Sequence, residues 1–158
     1  MEENTSKLTF PSLFNSTLNR HGNSPSYAFV GEEPITYRTA AQRISSVTAF
    51  LEQAGILPGD KVAILSANMP NWAIAYFGIT FMGAVVVPIL PNFSPTEIAN
   101  ILDHSESKAV FVSSGLAVKI SEFKSPFLTT CIQMEDFTVI KSDKPSLEFK
   151  PGSLPMLV

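Results

Sequence analysis

An α/β fold, with a parallel sheet of about four strands and helices on both faces, is predicted by three observations. Short β-branched runs alternate with segments of helical period, and the connections between them are only a few residues long. Residues 62–96 contain no charged side chain at all, which is how elements covered on both sides read. Strand, helix, strand in that order implies right-handed crossovers and therefore a parallel sheet.

Residues 10–20 place Phe10, Leu13, Phe14 and Leu18 at helical spacing, and His21-Gly22 ends that helix. Two short strands, 26–30 and 34–37, flank the turn-like Gly31-Glu32-Glu33-Pro34 and are expected apart from the main sheet. Thr36 or Thr39 can cap the next helix, which runs to Gln53 with Ile44, Val47, Leu51 and Ala54 on one face and stops at Gly55. Leu57-Pro58-Gly59-Asp60 is turn chemistry that feeds a buried strand at 61–66. Pro70 suits the first turn of a helix over 71–82 that is apolar nearly all round and is expected to pack on more than one side. A strand at 85–90 follows Gly83-Ala84. Ser94-Pro95-Thr96-Glu97 then supplies a cap, a first-turn proline and an acid three residues after the cap. That helix runs to about His104, with strands expected at 108–112 and 129–134 and a short helical stretch at 118–122. Residues 142–158 show no period and read as a tail or linker.

The chain has 158 residues, enough for one domain with its own core. It is 45% hydrophobic and only 16% charged, so part of its surface is expected to meet a partner. A net charge of -3 with no Lys/Arg cluster disfavours nucleic acid. Cys131 is the only cysteine, which excludes an intrachain disulfide, and no Cys/His spacing builds a zinc site. A reducing cytoplasm fits that usage. Residues 1–4 are acidic where a secretory signal is basic, so the Asn-x-Ser/Thr sequons at Asn4, Asn15 and Asn92 carry no weight. Residues 72–90 are long enough to be weighed as a membrane span. The interruptions at Gly78, Gly83 and Pro88, and the change to Val85-Val86-Val87, favour strand, helix and strand in a buried core.

Ligands of open parallel sheets collect outside the carboxyl ends of the strands, which directs attention to the loops 66–70, 88–95 and 113–115. Their candidate ligand-facing residues are Ser66, Asn68, Asn92 and Ser113. Such side chains orient a ligand or form caps and turns; none is an acid, base or metal ligand at neutral pH. No Gly-x-Gly-x-x-Gly and no Gly-x-x-x-x-Gly-Lys-Ser/Thr occurs, so both standard phosphate cradles are missing. Ser113-Ser114-Gly115 is a turn that could present N–H groups to an anion. His21 and His104 stand apart from any nucleophile in sequence, Cys131 reads as a small buried residue, and Asp103 with Glu106 reads as a solvated helix end. No catalytic, cofactor-binding or metal-ligating residue is assigned.

Read together, Ile35-Thr36-Tyr37, Leu57-Pro58-Gly59-Asp60-Lys61-Val62-Ala63-Ile64, Asn68-Met69-Pro70-Asn71-Trp72 and Gly83-Ala84-Val85-Val86-Val87-Pro88-Ile89 closely resemble the beginning of acyl-CoA synthetases, AMP-forming members of the adenylate-forming superfamily. Each piece is loose, while the ordered set at matching spacings is specific and covers about residues 10–135. His104-Ser105-Glu106-Ser107-Lys108 before Ala109-Val110-Phe111-Val112 looks like the long-chain fatty acyl branch. The resemblance implies an N-terminal α/β subdomain over residues 1–135 and a linker over 136–158 toward a further portion. It implies a protein that takes a fatty acid, ATP with magnesium, and CoA, forms an acyl-adenylate, and transfers the acyl group to CoA. The family's phosphate loop, nucleotide contacts and catalytic lysine lie after the matched region, so this piece is expected to be inactive, to hold no ligand alone and to self-associate. Contact at a membrane surface stays open without a transmembrane segment. A free-standing α/β binding or interaction module is the alternative, and a phospho-acceptor domain would require acids at strand ends, where residues 63–67 and 109–113 contain none.

Overall fold

The computed structural model describes residues 8–151. Residues 1–4, with their acidic start, and the last seven of the expected linker lie outside them. Helix α1 (Phe10–His21) is followed by a separate antiparallel pair, β1 (Pro25–Tyr27) and β2 (Ile35–Thr36). Then come α2 (Tyr37–Gln53), β3 (Lys61–Leu65), α3 (Pro70–Phe81), β4 (Val85–Ile89), α4 (Pro95–His104), β5 (Ala109–Val112), a 3-10 helix (Ser114–Ile120), β6 (Thr130–Gln133) and β7 (Val139–Ser142). The main sheet has the order β4-β3-β5-β6-β7, parallel except for β7, which runs antiparallel to β6. No helix among the described residues is long and apolar enough to cross a membrane.

The period of two along the strands sorts the core into two layers. Val62 and Ile64 of β3, Ala109 and Phe111 of β5, and Ile132 of β6 face α1, α2 and α3. The intervening Ala63, Leu65, Val110, Val112 and Cys131 face α4 and the 3-10 helix. Every residue from Val62 to Leu65 has zero exposure, which accounts for a strand with no polar alternation. At the sheet edge, Val85 donates to the Asp60 carbonyl at 2.8 Å. Odd-numbered residues of β4 thus point their amides at β3, and Pro88 sits where its missing donor faces away from the sheet, the position an edge strand tolerates.

The caps follow from local chemistry. Thr36 caps α2, its hydroxyl accepting from the Thr39 amide at 3.1 Å, and the two threonine hydroxyls lie 3.1 Å apart. Gly55, at φ 88°, takes the left-handed turn after α2. At α4 the Ser94 amide donates to the Glu97 carboxylate at 2.8 Å while the Glu97 amide donates to the Ser94 hydroxyl at 3.3 Å, a reciprocal capping box. Helix α3 has no fully exposed residue. Its Ile74, Ala75, Gly78 and Ile79 are buried, and its Phe77 and Phe81 pack against Phe14 of α1, with ring centroids 5.5 and 5.7 Å away.

Two expectations change. The sheet has five strands, because Val139–Ser142 within the stretch read as linker pairs with β6. Beyond it Phe149 packs on Phe50 and Phe137, at centroid distances of 5.8 and 4.9 Å. A four-residue edge strand with one half-buried and one exposed aliphatic residue offers too short a pattern to read. Its turn carries Phe137 at φ 61°, a conformation disfavoured for an aromatic residue, held by burial against Phe111 at 5.6 Å. The helical stretch expected at 118–122 begins earlier, as the 3-10 helix Ser114–Ile120.

Two stability predictions follow from this packing. A Cβ on Gly78 would stand 2.5 Å from Val47 Cγ1, and the Gly78 carbonyl accepts from the Thr48 hydroxyl at 2.9 Å, so α2 and α3 touch backbone to side chain. Gly78→Ala is expected to destabilise by about 1–3 kcal/mol through overpacking, although the same change at an open helix site stabilises by about 1 kcal/mol; urea denaturation reads the sign. Asp60 accepts from the Leu57 amide and pairs with Lys108, each at 2.8 Å. Burial alone would raise its pKa, but the hydrogen bonds from Lys108 and Leu57 and the charges of Lys108 and Lys61 outweigh it and hold the carboxyl below its ordinary value. A carboxyl lowered in the folded state adds stability that is present above its unfolded pKa and lost as pH falls through the folded one. The urea midpoint should drop below about pH 4, and Asp60→Asn should flatten that limb. The effect is under about 1 kcal/mol because the lysine is 42% exposed.

Candidate functional site

The parallel order brings the carboxyl ends of β3, β5 and β6 side by side, and backbone hydrogen bonds lock them. The Ser113 amide donates to the Leu65 carbonyl at 3.1 Å, and the Met134 amide to the Val112 carbonyl at 2.9 Å. Ser66 and Ser113 are thereby neighbours and both are buried. Ser66 turns its hydroxyl onto the Ala67 carbonyl at 2.8 Å, so it shapes the turn and offers no free donor outward. Asn68 is exposed and lines a depression of about 380 Å³ with residues 26–30, Met69 and Pro70. Asn92 does not join them. It is exposed in the loop after β4, whose Pro91 and Phe93 carbonyls accept from Lys119 Nζ, each at 2.7 Å.

The residues that organise this edge are others. The Ser114 amide donates to both Glu135 oxygens, at 2.9 and 3.1 Å, and its hydroxyl donates to Oε1 at 2.9 Å. Asn71 Nδ2, in the first turn of α3, donates to the Met134 and Glu135 carbonyls at 3.0 and 2.8 Å. Glu135 is therefore gripped at its backbone by α3 and at its carboxylate by the 3-10 helix. Beside it lies a cleft of about 320 Å³ bounded by the β1–β2 loop, Met69 to Asn71, Arg43 and Glu135. Tyr27 lines it too, and burial, followed by the nearby Tyr37, raises its phenol further above the neutral range, so it enters as a neutral hydrogen-bonding group. Arg43 makes no ion pair with a described residue.

This edge can hold and orient a polar group. His21 and His104 each sit in the last turn of a helix, α1 and α4. The Cys131 thiol is pushed up by burial, with Lys141 opposing only in part, so it stays protonated and a weak nucleophile at neutral pH. No group of three His, Cys, Asp or Glu among the described residues could hold a metal ion. Sequence reasoning found the loops at 66–70 and 113–115 from the rule of strand ends. It missed Glu135, Asn71 and Arg43 because they reach one cleft from separate elements far apart in sequence, which no local pattern encodes.

Comparison with known proteins agrees with this architecture. The sequence matches the family model described as AMP-binding enzyme over residues 14–152. A long-chain-fatty-acid--CoA ligase of Salmonella typhimurium is 31% identical over 106 residues, 66% of this chain and 19% of that protein. The 4-hydroxybutyrate--CoA ligase 2 of Metallosphaera sedula is 29% identical over 126 residues, 80% of this chain and 23% of that one. The matches thus span about a fifth of each relative's length. Among solved structures, the anthranilate CoA ligase AuaEII in complex with anthranoyl-AMP superposes with a TM-score of 0.78 at 19% identity, covering 93% of this chain and 28% of its own. The N-terminal domain of FACL13 from Mycobacterium tuberculosis gives 0.71 at 20% identity, over 85% and 38%. The family match over residues 14–152 establishes that the chain belongs to the AMP-binding enzyme family, and the superpositions give it the fold of the N-terminal subdomain of adenylate-forming ligases.

Proposed function

We propose that this chain is the N-terminal α/β layer of an AMP-forming ligase that activates a long-chain fatty acid and transfers it to CoA in the cytoplasm. In that reaction the carboxylate attacks the α-phosphorus of ATP, releasing pyrophosphate and leaving an acyl-adenylate. The CoA thiolate then attacks the acyl carbonyl and AMP departs. The family match over residues 14–152 carries the reading, and the ligase names of the relatives at about 30% identity support it. The long-chain assignment leans on the similarity to the Salmonella typhimurium protein; the 4-hydroxybutyrate ligase supports only the broader class.

Among the described residues no glycine-rich phosphate cradle follows a strand and no group of three His, Cys, Asp or Glu could hold a metal ion. No step is therefore assigned to them. Their part is to set the rigid sheet edge, from Ser66 through Ser113 to Glu135, against which the remaining layers of such a ligase assemble, and to form one wall of the acyl or CoA channel. Division of the chain into a subdomain and an onward linker belongs to this proposal. So does self-association of the isolated 158-residue chain, favoured by exposed Leu8, Leu13, Val30 and Leu57. A free-standing binding module is the second reading, favoured by the folded edge and the cleft beside Arg43.

The test is the reading frame beyond Val158 and the activity of the polypeptide that it encodes. Acid-dependent ATP–pyrophosphate exchange across a series of carboxylic acids should rise with alkyl length, while the 158-residue chain alone shows none. Exchange confined to short or aromatic acids would remove the long-chain assignment. Absence of exchange with any acid, or a frame that stops at Val158, would leave the binding-module reading.

A further inference from the structure

The connection from β6 to β7 is a hairpin, so the second core layer has no helix of its own over these two strands. Helix α4 and the 3-10 helix cover β3 and β5 on this side. Between the 3-10 helix, the loop after it and the β6–β7 face lies a cavity of about 450 Å³, within the size range of small-molecule sites. Buried Val112, Ile120, Leu128 and Cys131 line it, with half-buried Phe123 toward the outside. Lys141, the register partner of Cys131 across the β6–β7 pair, stands exposed among the lining residues and makes no ion pair with a described residue. The sulfur among those walls is a neutral thiol and the Ser121 hydroxyl donates to the Val118 carbonyl, so the walls are largely apolar and Lys141 is the one charged side chain among the lining residues.

We propose that this cavity is a binding site for a single alkyl carboxylate, its chain against Val112, Ile120, Leu128 and Cys131 and its head at Lys141. A single ammonium matches the one negative charge of a carboxylate, whereas a phosphate monoester carries about −1.5 to −2. The site lies on the face of the sheet carrying α4, whereas the cleft beside Glu135 lies at the strand ends; its existence does not rest on the ligase reading.

Calorimetric titration of the 158-residue chain with decanoate, below its micelle concentration and without ATP, is the test. One decanoate per chain is expected, with octanoate about fifteenfold weaker for two fewer methylenes. Lys141→Glu should weaken decanoate at least tenfold, leave decanol binding unchanged and leave the melting temperature unaltered. Leu13→Ser, in the exposed apolar patch of α1, should leave decanoate binding unchanged. No binding, equal binding by Lys141→Glu, or loss of binding in Leu13→Ser overturns the site. So does a dimer in sedimentation velocity that decanoate does not dissociate and Ile140→Glu does, since a second copy would then cover this face. Because no turnover is measured, each of these results leaves the pyrophosphate-exchange test of the ligase reading standing.

Discussion

Strand β3 is the constraint on which everything else depends. Its four residues Val62 to Leu65 are wholly buried, are hydrogen-bonded through the ladder to β4 on one side and β5 on the other, and divide their side chains between two core layers. A slip of one residue would exchange Ala63 and Leu65 with Val62 and Ile64 and mismatch both layers at once. With that register set, the strand ends fall where Ser113 can reach the Leu65 carbonyl and Met134 the Val112 carbonyl. The edge that the proposed function uses is thus a product of core packing several residues away.

Most of this architecture was legible along the chain because its signals are local. Ser94-Pro95-Thr96-Glu97 is a capping box in sequence and in space, Thr36 caps α2 as one of the two expected threonines, and the uncharged stretch 62–96 became a strand, a helix and a strand. What escaped was non-local or short. β7 has too few residues to show a period, and its order comes from pairing with β6. Phe149 belongs to the core only because the hairpin folds back to bring it onto Phe50.

The site divides in the same way. Ser66 and Ser113 were found by a topological rule and lie together; Asn68 borders a depression with the β1–β2 segment, and Asn92 belongs to a different loop. Glu135 was unreadable because a carboxylate in a turn is ordinarily solvated, and only the Ser114 and Asn71 donors, from elements distant in sequence, give it a fixed position. The resemblance to acyl-CoA synthetases reached the family where residue chemistry alone did not, since Ser66, Asn68, Asn92 and Ser113 are residues that orient ligands or form turns and name no reaction.

Phe137 makes one edge of the sheet conditional. A non-glycine residue with left-handed backbone costs about 1–2 kcal/mol locally, and here that cost is offset by contact with Phe111 and Phe149 and by the Phe137 amide donating to the Gln133 carbonyl at 2.9 Å. Loosening of the core would remove the ring contacts and leave that cost less well opposed, so the hairpin depends on the core for its stability. Its opening would strip β7 from the sheet and leave β6 with a free row of amides and carbonyls, a template for strand exchange between chains. Protection of this sheet edge from aggregation therefore rests on three packed phenylalanine rings as well as on the exposed Lys141 of the strand that caps it.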